Sequence, residues 1–339
     1  MYRGRVDSRR WKRTAYRMVE TAARLVLACA LTWAGSAGAQ DYPTRPLRFI
    51  VGFPPGGSTD VAARVIVPRL AERLGQPVLI EARSGAGGNI AVDTIAKAAP
   101  DGHTIGFGVS GALTLNVTLQ PNLPYDPLKD IAPVTLAAIS PLVLAVGAPT
   151  PLHSVRELIA YARPRAGELS YATGGEGTAM HLAGAMLNLL AGLELIHVPF
   201  KGNSATAAAL VGGQVPIAIL DLTSARAFMR AGRIRALGVT SAKRTLLAPE
   251  IPTLAESGLP GFEVVSWFGV IAPAGTPSAI LTRLNAELVG VLTEPESRDK
   301  LMTLGLEPAP SSQGEFADLI RTEIPRLAKL IRTSGIRVE

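Results

Sequence analysis

From Leu47 onward the chain alternates short continuous apolar runs with segments whose apolar positions recur every three or four residues. Continuous runs of this length bounded by Gly and Pro predict buried strands, and the longer period predicts amphipathic helices. Residues 47–53 (LRFIVGF), 77–82 (PVLIEA) and 103–109 (HTIGFGV) read as strands. Between them lie predicted helices at 58–75, with Val61, Val65, Ile66, Leu70 and Leu74 on one face, and at 89–99. Pro68 is expected to kink the first of these helices.

The alternation restarts after Pro141. LVLAVG (142–147) is a strand, and the next helix opens with Ser154 and Glu157 at capping-box spacing. Strand and helix segments then succeed one another to about Thr240, FEVVSWFGVIAP (262–273) gives a long strand, and residues 277–331 are mostly helical. Strands that alternate with helices imply βαβ units and parallel sheets. The expected fold is therefore α/β with two lobes joined by two crossings near 134–146 and 262–272. Residues 40–142 and 265–339 form the first lobe and 143–264 the second, the tail returning to the first.

The first 39 residues break this rhythm. An arginine-rich start, an apolar run from Leu25 to about Ala34 and the small residues Ala37-Gly38-Ala39 fit a secretory signal peptide cut after Ala39. The apolar run is about half the roughly 20 residues of a membrane span. Arg9-Arg10 lacks the apolar residues that a twin-arginine signal places directly after it, and Met18 is a second candidate start. Of 34 Lys+Arg, 8 fall in this segment, leaving 26; of 27 Asp+Glu, 2 do, leaving 25. Six of the seven formal positive charges therefore belong to the leader, and the remainder, near +1 and without a basic cluster, has no nucleic-acid footprint. The single cysteine, Cys29, also lies in the leader, so the exported chain suits an oxidising compartment without disulfides. The expected location is a bacterial periplasm.

Candidate chemistry sits at strand ends. VGFPPGGSTD (51–60) runs from a strand through Gly56 and Gly57 to Ser58, Thr59 and Asp60 at a helix start. Ligands of open α/β sheets bind at such carboxyl ends. Glycines let backbone approach a ligand, and a helix N-terminus offers unpaired N–H groups and a positive dipole. Ser58, Thr59 or Asp60 is expected to cap the helix. LSYATGGEGTAMHLAG repeats the arrangement with Gly174, Gly175, Gly177 and Thr178. Two such ends facing one cleft would hold a small carboxylate; each could equally be a tight βα turn.

Other chemistries find less support. Neither SGAGGNIA nor ATGGEGTAM completes a dinucleotide fingerprint, and no Walker lysine follows a glycine loop, so no cofactor is expected. GVSGA around Ser110 misses the G-x-S-x-G elbow by one position, and no nucleophile and base can be assembled into an enzyme. His103, His153, His181 and His197 are isolated and lack metal-ligand spacing. Asp221 ends a strand where it could meet a cation or cap the next helix. Trp267 and Phe268 are candidates for a cleft wall or for core. Ser110 and Gly111, after the third strand, join the candidate ligand contacts.

Five stretches together carry a resemblance: YPTRPLRFIVGFPPGGSTDVAAR, GAGGNIAVDTIAKAAPDGHTI, LPYDPLKDIAPV, VPFKGNSATAAALVGGQV and PTLAESGLPGFEVVSWFGVIAPAGTP. In this order they resemble the Bug (TctC-like) solute receptors of tripartite tricarboxylate transporters. The resemblance implies an α/β two-lobed periplasmic binding protein of the type II, Venus-flytrap kind that closes on a small carboxylate and delivers it to a permease of two integral subunits. It also implies a monomer, and a pocket built by residues 53–60, including Phe53 and Pro55, and by residues 173–178, including Thr173. Some amino-acid-binding members use an aspartate where Asp221 stands, which would hold an ammonium group, although Leu220 replaces the Phe that often precedes it. Ala82 and Ser84 depart from the family's usual Asn and Pro. A solute sensor for signalling is the alternative on the same fold.

Overall fold

The structure is a computed structural model that describes residues 42–334. The expected signal peptide and its candidate cleavage site lie outside the described residues. Arg45–Glu339 form one compact unit; of the remainder only residues 42–44 are described, with a cis peptide between Tyr42 and Pro43.

Two sheets organise this unit, as expected of a two-lobed binding protein. The first has six strands in the order β11-β4-β10-β3-β1-β2. These are β1 (Leu47–Val51), β2 (Val78–Ala82), β3 (Thr104–Val109), β4 (Ile131–Ser140), β10 (Ser266–Pro273) and β11 (Glu307–Pro308). The second has five in the order β7-β6-β8-β5-β9. These are β5 (Leu142–Gly147), β6 (Ser170–Thr173), β7 (Ile196–Pro199), β8 (Ile217–Asp221) and β9 (Ile234–Val239).

The helices are α1 (Ser58–Leu74), α2 (Asn89–Ala96), α3 (Asn116–Leu119), α4 (Val155–Ala162), α5 (Ala179–Ala191), α6 (Asn203–Val211), α7 (Leu222–Arg230), α8 (Ser278–Thr293), α9 (Pro295–Thr303) and α10 (Gln313–Ser334).

The parallel sheets expected from alternation are mixed sheets. β1, β2 and β3 run parallel, but β10 is antiparallel to both β3 and β4. β6, β7 and β8 are parallel, with β5 antiparallel between β8 and β9. The reversed strands are those that carry the chain between lobes. β4, which sequence periodicity left inside a crossing, is a ten-residue strand, and a single residue, Pro141, separates it from β5 in the other sheet. The return runs from β9 to β10, where the Val264 N–H donates to the Thr240 carbonyl and the Thr240 hydroxyl to the Val264 carbonyl.

Local signals account for most elements. The Ser154 hydroxyl accepts the Glu157 N–H, and the Glu157 carboxylate accepts the His153 N–H. α1 runs through Pro68 as one helix and ends at Gly75, whose φ of 69° closes it. The tail does more than return to the first lobe. Phe316 and Ile320 of α10 pack in the first lobe's core with Trp267 and Ile271, whereas Leu327 and Ile331 join the apolar cluster of α5 in the second. Both halves of α10 carry apolar residues at helical spacing, so one helix is buried against both lobes.

Candidate functional site

The first glycine loop delivers an uncapped helix. Gly57 occupies the N-cap position of α1, so none of the three expected side chains caps it. Asp60 reaches back instead, accepting the Gly56 N–H at 2.9 Å and Arg64 Nε at 2.9 Å. Burial pushes its carboxyl up, but the Arg64 and Gly56 hydrogen bonds outweigh it and hold the carboxyl below its ordinary range. Thr59 is 3% exposed, and its hydroxyl has no hydrogen-bond partner among the described residues.

The second loop is braced more tightly. Thr178 is the N-cap of α5, accepting the His181 N–H at 3.3 Å and donating to the Gly175 carbonyl at 2.7 Å. Behind it the Thr173 hydroxyl lies 2.6 Å from His197 Nε2. The histidines that look isolated in sequence are paired here: the His181 and His197 rings stack with centroids 4.0 Å apart and 11° between planes. Burial holds His181 down at about 4, and burial together with His181 holds His197 at about 3. The pair is neutral near pH 7.

A third junction of the same kind follows β7. Gly202, with φ of 95°, turns the chain into α6, whose first residues are Asn203 and Ser204. Asp221, fully buried at the end of β8, is the N-cap of α7, its Oδ1 accepting the Ser224 N–H at 2.7 Å. Its Oδ2 accepts from Asn203 Nδ2 at 2.6 Å.

These ends enclose one cavity with about 580 Å³ of empty space, its open mouth included. Nine of the fifteen sequence candidates line it: Phe53, Gly57, Ser58, Thr59, Ser110, Gly111, Gly174, Thr178 and Asp221. Six do not. Pro55 and Gly56 are exposed on the loop's outer side, where a Cβ on Gly56 would lie 3.1 Å from Ser204 Oγ, Asp60 is engaged with Arg64, and Thr173 is turned to His197. Gly175 opens instead on an outer groove with residues 84–87, and Gly177 is pressed against the Asn116 side chain. Phe268 lines the cavity, whereas Trp267 packs on Phe316 in the core and donates to Glu323.

Sequence reasoning missed the stretch from Lys201 to Ser204, along with Gly87, Val109, Ala179, Met180 and Ser266. The signal for Lys201–Ser204 was present: PFKGNS has the same strand, glycine, small polar residue and helix as the other two loops.

The lobes meet beside the cavity through glycines. A Cβ on Gly87 would lie 2.5 Å from the Glu176 carbonyl oxygen. One on Gly111 would overlap the Gly177 carbonyl oxygen and sit 3.3 Å from the Thr178 Cα. No group of three or more metal-ligating side chains occurs among the described residues.

A charge-poor, amide-lined cleft between two lobes is the arrangement of a solute-binding protein, and known proteins resemble this chain along most of its length. The R. palustris protein solved with adipate is 39% identical, covers 88% of this chain and 99% of its own, and superposes with a TM-score of 0.85. MatC from Rhodopseudomonas palustris, solved with bound malate, is 35% identical over 86% of this chain and 100% of its own, with a TM-score of 0.81. Protein BugT of Bordetella pertussis is 36% identical over 307 residues, 90% of this chain and 94% of that protein. The profile of the tripartite tricarboxylate transporter family receptor (TctC) matches residues 62–336. This chain belongs to that family of periplasmic solute-binding receptors, which are not enzymes.

Proposed function

We propose that this protein is exported to the periplasm after cleavage behind Ala39, captures a small dicarboxylate between its lobes, and delivers it as a monomer to a permease with one large and one small integral subunit. The observation that carries the reading is the convergence of three helix N-termini, those of α1, α5 and α6, on one cavity whose lining contains no arginine. Oriented backbone amides and a dipole end favour an anion at each. Each amide or hydroxyl donor to a carboxylate contributes about 1.5 to 3 kcal/mol.

The ends lie on both lobes, α1 on the first and α5 and α6 on the second, so a ligand with two carboxylates is held from both sides only when the cleft is shut. Ser58, Thr59, Ser110 and Gly111 receive it from the first lobe, and Gly174, Lys201 and Ser204 from the second. Phe53 and Phe268 cover its carbon chain. The relatives solved with adipate and malate support this class of ligand. In this reading the lobes divide at residues 142–143 and 264–265, and closure turns on those two crossings.

No helix among the described residues is long and apolar enough to cross a membrane. A thermal-shift panel of dicarboxylates, tricarboxylates and acidic amino acids on residues 40–339, refolded to remove co-purified ligand, tests the reading. A ligand at 100 times its Kd stabilises the native state by about 2.7 kcal/mol. Folded protein that shifts with none of these acids would refute it.

A further inference from the structure

The outer groove beside the cavity is the larger space, with about 1600 Å³ empty against 580 Å³, and both lobes contribute to it. Its walls include Leu119 and Pro121 from the first lobe and Phe200 from the second. Six residues line cavity and groove alike: Phe53, Pro54, Gly87, Gly174, Lys201 and Gly202. They form the partition between the two spaces.

Three of the six are glycines, and Pro54 is seated against Gly202, where a Cβ would lie 3.4 Å from its Cδ. The partition is therefore filled by the Phe53 ring and the Lys201 chain. Lys201 is exposed and sits on a flexible four-carbon stem. The ring is seated. Its Cε2 and Cζ lie 3.5 and 3.7 Å from the place a Cβ would take on Gly88, and its Cδ1 lies 4.0 Å from the same point on Gly202 in the other lobe. Gly88, at φ 99°, offers the ring a surface without a side chain. The ring thus reaches from one lobe to the other at the boundary of the cavity.

We propose that Phe53 sets the length of the acid the receptor accepts, its ring ending the cavity so that both carboxylates of the ligand must fit on the inner side. The far carboxylate of a longer acid would be pressed on an apolar ring, losing water without gaining a donor. To pass, it must drive the ring from its seat between the lobes. Without the ring, cavity and groove become one space, and a longer chain can lie along Leu119, Pro121 and Phe200.

The inference rests on the carboxylate-receptor reading and adds a limit to it. Calorimetric titration of residues 40–339 with succinate, glutarate, adipate, suberate and sebacate should show a break at one chain length. Across it affinity should fall about tenfold or more, the value of the lost hydrogen bonds to a charged group. In Phe53→Ala the break should disappear, each further methylene tightening binding by up to about fourfold as it is buried in the groove. Phe53→Leu should move the break to longer acids and Phe53→Trp to shorter ones, with thermal unfolding confirming that each variant is folded. A break at the same length in all three variants would overturn the inference, as would an unmodified protein that binds the whole series without one; the receptor reading would stand in both cases. Folded protein that binds no acid of the series would overturn both.

Discussion

Replacing Gly111 by Ala isolates lobe closure from folding. Gly111 follows Ser110 at the end of β3 in a helical turn, and its φ is not positive, so an alanine there is not strained by its own backbone. The obstacle lies across the cleft, where the added methyl would overlap the Gly177 carbonyl oxygen with the Thr178 Cα 3.3 Å away. Both neighbours are backbone in a loop held by the Thr178 cap and the Gly175 carbonyl, so no side chain can swing aside. Forcing one methyl into a packed contact costs about 1 to 3 kcal/mol. The open form does not make this contact, so the whole cost falls on the closed, liganded state. Affinity should drop by about 5- to 150-fold. The ligand-free protein should be as stable as the unmodified one or slightly more so, because alanine in a helical turn is favoured over glycine by roughly 0.5 to 1 kcal/mol. Calorimetric titration with the best acid of the panel, paired with thermal unfolding of the free protein, reads both quantities. Unchanged affinity, or a loss of affinity matched by a loss of free-state stability, would refute the reasoning.

Thr59→Val should weaken ligand binding about tenfold or more while leaving the melting temperature of the free protein unchanged, because the Thr59 hydroxyl has no protein partner to lose; a fall in melting temperature would contradict this. Thr178→Ala should show the reverse emphasis, with about 1 kcal/mol lost in urea unfolding of the free protein as the cap of α5 disappears. His181 and His197 titrate at about 4 and 3 in the folded protein against an ordinary 6.5, so below pH 6.5 the unfolded chain binds protons that the native one refuses. Stability present above pH 6.5 is then lost as pH falls toward 4, by up to about 1.4 kcal/mol per pH unit for each histidine. Urea denaturation between pH 7 and 5 should show a slope reduced by about one proton in His197→Gln, and an identical slope would count against the pair. Gly184→Ala should cost about 1 to 3 kcal/mol of stability, since its methyl would overlap the Tyr171 ring, and an unchanged urea midpoint would contradict the packing.

The alternation of elements was legible because apolar runs such as LVLAVG and IAIL are buried on both faces and read the same in sequence and structure. Strand direction was not legible. β10 is as apolar as β3 and β4 on either side of it, and only the passage of the chain back from the second sheet reverses it. Similarly, two of the three glycine loops were read from their spacing, whereas Lys201–Ser204 went unread because its single glycine gives a weaker signal than a pair. Asp60 and Thr173 look like ligand groups in one dimension. Their partners Arg64 and His197 lie four residues away on a helix and on a neighbouring strand, and those contacts absorb them. The stacking of His181 on His197 required the pairing of β6 with β7, which no local pattern reports.

The glycine contacts across the cleft also bear on how information leaves the protein. Gly87 and Gly111 have no side chains, and the surfaces they meet across the cleft are backbone carbonyls and a Cα atom. A seam of this kind has the same outline whichever solute lies behind it. Whatever reads the shut form from outside learns that the receptor is full and nothing about its contents, so all discrimination must be completed before the seam forms. A solute that is wrong in chemistry but small enough to permit closure would be passed on unexamined, and fidelity rests entirely on the few polar atoms inside.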